Sequence, residues 1–149
     1  MNIIDKYRIP HTLIDFEITE TTADNTSDTL IKIMQDFNSK GIHFSLDDFG
    51  TGYSSLNMLK MTSIDILKID KSFIPPEEEH EQKNKECIMF ESIAHLAREL
   101  GVMVVAEGVE TEQQYDYLTQ MGCDIIQGYY FDKPLTEDMF LEKIKAGKY

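Results

Sequence analysis

The chain has 149 residues, of which 42% are hydrophobic and 28% are charged, a balance typical of one ordinary soluble globular domain. It carries 27 acidic and 14 basic residues, a formal net charge of −13, which repels nucleic-acid backbones and anionic membranes and argues against a nucleic-acid polymer as its partner. Two cysteines without zinc-finger spacing, no apolar run near the ~20 residues of a membrane span and no signal peptide predict a cytoplasmic protein with reduced thiols.

Five apolar runs alternate with amphipathic helical segments along the chain. The predicted strands are 13–18, 42–46, 64–69, 102–106 and 124–128, and the predicted helices are 30–37, 54–59, 87–100, 112–122 and 136–144. A double proline and an acidic run at 75–81 predict an exposed loop. Strands that alternate with helices in this way predict an α/β fold with parallel strands and right-handed crossovers.

Polar side chains recur at or near the C-terminal ends of the five predicted strands. These residues are Glu17, Asp47, Asp48, Lys68, Glu107 and Gln127. Ligands bind at that edge in parallel α/β folds, and above all in (β/α)8 barrels. The recurrence at successive strands therefore predicts one ligand site at one edge of the sheet.

The stretch Asp47–Tyr53 has both a functional and a purely structural interpretation. It places two adjacent carboxylates after an apolar run and before a loop with two glycines. A strand end fixes carboxylates, while glycines let the backbone bend around a ligand, and this indicates a metal site. An Asp-capped turn accounts for the same residues without any function, because Asp and Gly are ordinary turn residues.

Converging carboxylates favour hard cations, and a neighbouring lysine needs an anionic partner. Oxygen ligands prefer Mg²⁺, Mn²⁺ or Ca²⁺ to zinc, and adjacent Asp47 and Asp48 suggest a two-metal site that activates water against a phosphodiester. Burial of an unpaired Lys68 would be costly, so we expect a carboxylate or phosphate partner. Lys68 could position the attacking water or neutralise the transition state, or it could form a buried ion pair with Asp70 or Glu107.

Five motifs in succession resemble the signatures of the EAL family of cyclic-di-GMP phosphodiesterases, which adopt a modified TIM barrel. The motifs are Glu17-Ile18-Thr19-Glu20, Asp47-Asp48-Phe49-Gly50-Thr51-Gly52, Leu67-Lys68-Ile69-Asp70, Ala106-Glu107-Gly108-Val109-Glu110 and Gln127-Gly128-Tyr129. The resemblance runs from about Leu13 to Leu135. It implies a partial TIM-type (β/α) barrel of about five C-terminal β/α units, in a single, N-terminally incomplete EAL domain over residues 1–149.

The resemblance also implies a chemistry, the hydrolysis of cyclic-di-GMP to linear pGpG with Mg²⁺ or Mn²⁺ in a two-metal site. Lys68 would hold the nucleophilic water, and Asp48 would bind the second metal. Gln127 would bind a metal-bound water, so that the implied metal shell is Glu17, Asp47, Asp48, Glu107 and Gln127, with Lys68 and Glu107 catalytic.

The remaining implied roles concern the loop after Asp48. Phe49, Gly50, Thr51 and Gly52 would lie near the substrate, and Glu20 would anchor this loop, which in the family couples dimerisation to metal binding. Glu110 would support the site from outside the direct ligands.

The chain departs from the family pattern at its beginning. The Glu-Ala-Leu segment and the strand with the family's metal-binding Asn would precede residue 1, so we expect two metal ligands to be absent and the isolated chain to be weakly active or inactive. A barrel that does not close leaves strand edges open near 13–18 and 124–128, which predicts a homodimer or other self-association. The resemblance leaves open an upstream sensor or GGDEF domain outside this chain.

Two other functions compete with a phosphodiesterase. A non-catalytic EAL module could bind cyclic-di-GMP or a protein partner in signalling, although the intact acidic motifs argue against a retired site. An unrelated metal-dependent TIM-barrel enzyme, for example of the enolase type, also arrays acids at strand ends, but the stretch Asp47–Tyr53 and the motif around Glu107 speak against it.

Overall fold

The structure, a computed structural model, describes residues 2–19, 28–49, 59–60, 63–74 and 85–147. The strands are β1 (Asp15–Thr19), β2 (His43–Phe49), β3 (Ile66–Ile69), β4 (Met103–Ala106) and β5 (Ile125–Ile126). The helices are α1 (Asn2–Tyr7), α2 (Asp28–Asn38), α3 (Lys85–Glu99), α4 (Glu112–Gln120) and α5 (Glu137–Lys145). Short 3-10 turns lie at His11–Leu13 and Lys71–Phe73.

The five strands form one parallel sheet in the order β1-β2-β3-β4-β5. Helices follow the strands in the chain, so the predicted α/β architecture of a partial barrel is confirmed. The last strand is shorter than the predicted 124–128 because the chain leaves the ladder after Ile126. There the Gln127 N–H donates to the Ala106 carbonyl, and the Gln127 carbonyl accepts from the Val109 N–H.

The core lies on one side of the sheet, beneath the helices. Its fully buried members include Leu46 in β2, Leu67 and Ile69 in β3, and Phe90 in α3. Successive side chains of a strand point to opposite faces, so Lys68 points away from the face on which Leu67 and Ile69 are buried. The packing of the two apolar neighbours thus directs a lysine to the other face of the sheet.

Acidic side chains cap the beginnings of the strands. Asp65 accepts a hydrogen bond from the Phe44 N–H at 3.0 Å, and Asp124 accepts one from the Val104 N–H at 2.8 Å. The buried Ser45 hydroxyl donates to Asp15 at 2.7 Å. These contacts satisfy backbone and hydroxyl groups at the N-terminal edge, the edge that serves stability in parallel barrels.

Side chains cap the beginnings of two helices. Thr111 and Gln114 form a capping box at the start of α4, and the Thr136 hydroxyl accepts from the Met139 N–H at the start of α5. Helix α1 was not predicted from the sequence, and Leu13, predicted as strand, belongs to a 3-10 turn. The predicted helix at 54–59, apart from residue 59, and the whole of the predicted loop at 75–81 lie outside the described residues.

None of the helices in the described part of the chain combines the length and the apolar character needed to cross a membrane.

Candidate functional site

The Lys68 ammonium lies among three carboxylates at the C-terminal edge of the sheet. Its Nζ is 2.7 Å from Glu17 Oε1, 2.9 Å from Glu107 Oε1 and 3.2 Å from Asp47 Oδ1. The Lys68 side chain is 12% exposed, whereas that of Glu17 is 54% exposed, so the cluster is open to solvent on the β1 side. Four consecutive strands therefore deliver one charged side chain each to a single point, as the sequence predicted for these four residues.

The charges of this cluster control the pKa of Lys68. Burial of the ammonium opposes its charge, but the contacts with Glu17, Glu107 and Asp47 outweigh that effect and raise the pKa of Lys68. Lys68 is therefore fully charged at neutral pH. The alternative of a buried ion pair with Glu107 is realised within the cluster, whereas Asp70 accepts a hydrogen bond from the Ser72 N–H instead.

A β-bulge places Asp47 and Asp48 at the end of β2. Leu46 pairs with Leu67 and Phe49 pairs with Ile69, so β2 has one more residue than β3 between these two pairs. Asp48 takes up the extra residue with a left-handed φ of 55°, a conformation that Asp tolerates better than most residues. The bulge turns two adjacent residues away from strict alternation, which leaves Asp47 partly buried and Asp48 exposed.

The segment that carries Glu107 is packed directly against the segment that carries Gln127. The Val109 N–H donates to the Gln127 carbonyl at 3.1 Å, and the Tyr130 N–H donates to the Val109 carbonyl at 2.9 Å. Gly128 lies between these bonds, and a Cβ at that position would be 2.0 Å from the Val109 carbonyl oxygen. Only glycine permits this approach, so Gly128 fixes the spacing of the two strand ends.

The donor set suits a hard divalent cation. It consists of carboxylate oxygens, and Asp47 Oδ1 is buried without a hydrogen-bond partner among the described residues, although it is within ion-pair distance of Lys68. A buried carboxylate oxygen with unused lone pairs is a ligand atom for Mg²⁺ or Mn²⁺. The residues therefore fit the implied metal in their chemistry.

Gln127 faces a groove at the open end of the sheet. The groove has a volume of about 720 Å³ and is lined by Ile125, Ile126, Gln127, Gly128, Phe131, Asp132 and Lys143. Asp132 and Lys143 form an ion pair in its wall. No hydrogen bond or ion pair joins the Gln127 side chain to the Lys68 cluster in the described part of the chain.

The other predicted site residues are placed as follows. Phe49 is buried in the core at the last position of β2, and Glu110 is exposed, with its N–H donating to the Gln114 side chain. Glu20 and the loop residues Gly50, Thr51 and Gly52 lie outside the described residues. Gly128 belongs to one of the five motifs but received no role from the sequence, although a glycine directly after Gln127 at a strand end is a signal for a close backbone approach.

The family model of the EAL domain matches residues 1–134. The chain belongs to the EAL domain family. Over 143 residues it is 35% identical to MucR of Pseudomonas aeruginosa, a bifunctional diguanylate cyclase/cyclic di-GMP phosphodiesterase, and the match covers 96% of this chain and 20% of MucR.

Solved EAL structures share the fold of this chain. The EAL domain of DcpA from Mycobacterium smegmatis superposes with a TM-score of 0.86 at 32% identity, covering 98% of this chain and 64% of that domain chain. A manganese/cy-diGMP complex of BlrP1 from Klebsiella pneumoniae superposes with a TM-score of 0.78 at 27% identity, covering 89% of this chain and 33% of BlrP1. This chain thus spans a fifth of MucR and less than two thirds of the DcpA domain chain.

Proposed function

We propose that this chain supplies the metal-binding and water-binding part of a cyclic-di-GMP phosphodiesterase site, weak or inactive as the isolated chain. The observation that carries the proposal is the convergence of Glu17, Asp47 and Glu107 on Lys68 at the edge where parallel barrels bind ligands. Related proteins that are named as cyclic di-GMP phosphodiesterases support the substrate. This chain matches 64% of the DcpA domain chain, and the remaining ligands of the site would come from segments that correspond to the unmatched part.

Each residue has a distinct part in the proposed reaction, in which the oxygen of water bonds to phosphorus, the bond from phosphorus to a ribose oxygen breaks, and a proton from water completes the ribose hydroxyl. Glu17, Asp47, Asp48 and Glu107 would hold Mg²⁺ or Mn²⁺, and Gln127 would hydrogen-bond a water of the metal shell. When bound, the metal ions supply a lowered water pKa and neutralisation of phosphate charge. Lys68 would hold the attacking water and offset the negative charge that develops on the phosphoryl oxygens.

The candidate ligands and a related solved complex both support a hard divalent cation such as Mn²⁺. The candidate ligands are carboxylates, whose oxygen atoms are the donors that hard divalent cations prefer. The BlrP1 complex holds manganese in a fold that this chain shares. We also propose a reducing cytoplasmic location, because neither Cys87 nor Cys123 forms a disulfide among the described residues.

The direct test is a chromatographic assay for pGpG after incubation of the chain with cyclic-di-GMP and Mn²⁺. We expect slow conversion that needs Mn²⁺ and is absent in Asp47→Asn, with Asp65→Asn at the opposite edge of the sheet as the control. Conversion that persists in Asp47→Asn would contradict the assigned metal site. Turnover as fast as that of a complete EAL domain would contradict the expectation that ligands are missing.

A second candidate function is a non-catalytic module that binds cyclic-di-GMP. The exposure of the cluster on the β1 side favours it, because a site open on one side can bind an anion without excluding water. Calorimetry that shows tight binding of cyclic-di-GMP with Mn²⁺, together with no pGpG, would select this function over hydrolysis.

We also propose that the chain self-associates with a second copy. Among the described residues, β1 and β5 each pair with a strand on one side only, and Phe16 on β1 is 41% exposed. Helix α5 exposes Met139, Phe140, Leu141 and Ile144 by 42–50% each, beside the groove at β5. Unpaired edges and exposed apolar side chains favour association. Sedimentation should show dimers or larger species at micromolar concentration, and a monodisperse folded monomer would contradict this.

A further inference from the structure

The three carboxylates at the sheet edge share one cation. No other lysine, arginine or histidine among the described residues forms an ion pair with Glu17, Asp47 or Glu107. Three negative charges therefore meet one positive charge. Carboxylates that converge without a cation repel each other, so the ammonium is what makes this arrangement favourable.

The arrangement is centred on the ammonium. Each carboxylate has an oxygen 2.7–3.2 Å from Lys68 Nζ. Within the ranges that the structure describes, no three His, Cys, Asp or Glu side chains are grouped closely enough to hold a metal ion as they stand. Entry of a divalent cation would therefore require these carboxylates to turn from the ammonium toward the cation.

Resting on the proposed metal site, we propose that Lys68 is an internal counter-cation that gathers Glu17, Asp47 and Glu107 and competes with the divalent cation for them. In this role Lys68 is a positioning residue, in addition to its proposed contact with water. It brings together ligands from β1, β2 and the end of β4 before the metal binds. The cost is a weaker affinity, because the incoming cation meets a positive charge at the same point.

The competition predicts the direction in which Mn²⁺ affinity changes when the charge of Lys68 is removed. A charge of +1 about 5 Å from a charge of +2 weakens binding by about tenfold even at the dielectric constant of water. Lys68→Met keeps the length of the side chain and removes its charge. We therefore expect Lys68→Met to bind Mn²⁺ at least about tenfold more tightly than the wild-type chain, measured by calorimetry.

The gathering role also predicts changes in the Tm of the metal-free chain. Lys68→Met should lower the Tm by about 5–10 °C in EDTA because three carboxylates are left unbalanced. Glu17→Gln should then lower the Tm of the wild-type chain but raise the Tm of Lys68→Met, since it removes one of the repelling charges. If Lys68 contributed only by packing, Glu17→Gln would change the Tm in the same direction in the wild-type chain and in Lys68→Met. Lys68→Arg, which keeps the charge, should bind Mn²⁺ no more tightly than the wild-type chain.

The control variant is Lys40→Met, which changes the net charge equally. Lys40, which follows α2, pairs with the exposed Asp36 of that helix and not with the cluster, so its loss should leave Mn²⁺ affinity unchanged. If Lys68→Met is too unstable in EDTA, the Mn²⁺ affinity of the double variant Lys68→Met/Glu17→Gln is compared with that of Glu17→Gln. Folding of Lys68→Met only in the presence of Mn²⁺ would also support the proposal.

The outcomes separate this proposal from the proposed function. Mn²⁺ binding by the wild-type chain that is equal or weaker in Lys68→Met overturns the competition and leaves the metal site standing. No Mn²⁺ binding by any variant overturns both. Loss of the sign reversal for Glu17→Gln overturns the gathering role alone.

Discussion

Gly128 offers the sharpest test of how the strand ends are held in position. A Cβ at this residue would lie 2.0 Å from the carbonyl oxygen and 2.3 Å from the nitrogen of Val109. Both contacts are with backbone, which cannot turn aside as a flexible side chain can. Gly128→Ala must therefore push the Glu107–Glu110 segment away from β5.

The cost follows from the contacts that this shift would disturb. Two backbone hydrogen bonds of Val109, at 3.1 and 2.9 Å, flank the position, and a typical net contribution is about 1 kcal/mol each. Overpacking adds about 1–3 kcal/mol. We expect Gly128→Ala to lower the free energy of unfolding by about 3 kcal/mol, and to weaken Mn²⁺ binding because Glu107 moves.

Urea unfolding followed by circular dichroism would measure this change, with Gly101→Ala as the control. Gly101 has a φ of 71° with open space around it, so alanine there brings backbone strain of about 1 kcal/mol without a clash. A Gly128→Ala chain that is as stable as Gly101→Ala, with unchanged Mn²⁺ affinity, would refute the argument that this close approach positions Glu107.

Three other substitutions probe the two edges of the sheet. Asp48→Ala should be about 1 kcal/mol less stable than Asp48→Gly in urea unfolding, because both lose the carboxylate but only alanine opposes the φ of 55°; equal stability would contradict the bulge. Asp70→Ala should cost about 1 kcal/mol at neutral pH. The Ser72 contact lowers the pKa of Asp70, so its contribution is present above 3.8, the unfolded value, and is lost as the pH falls through the lower folded value; a cost that stays constant in acid would contradict this. Asp65→Asn should reduce stability by about 1 kcal/mol through its bond to the Phe44 N–H and leave Mn²⁺ binding unchanged, and calorimetry showing weaker binding would contradict the separation of the two edges.

The sheet could be predicted because its strands carry strong local signals. The strand ending at Ala106 and the helix after Thr111 could both be predicted from residue types and spacing. Helix α1 and the early end of β5 could not be read in this way. The end of β5 depends on two hydrogen bonds with residues about 20 positions away in sequence: the Gln127 N–H donates to the Ala106 carbonyl, and the Gln127 carbonyl accepts from the Val109 N–H.

The sequence predicted which residues converge at the candidate site better than it predicted how their side chains are arranged. Strand-end positions identified Glu17, Asp47, Lys68 and Glu107, and these four do converge. The position of the ammonium among all three acids depends on register between neighbouring strands, which no single motif encodes. The metal roles of Glu17, Asp47, Asp48, Glu107 and Gln127 stay predictions. So do the loop-anchor role of Glu20 and the substrate-proximal position of Gly50–Gly52, which lie outside the described residues.

The most direct test of the central claim is calorimetric titration of cyclic-di-GMP into the chain with Mn²⁺ and with EDTA. The strand-end carboxylates should make binding depend on the metal, so we predict that affinity falls at least about tenfold in EDTA and in Asp47→Asn. Asp65→Asn should bind as the wild-type chain does. Equal affinity with and without Mn²⁺, or an unchanged affinity in Asp47→Asn, would contradict the assignment of this sheet edge as a metal-dependent nucleotide site.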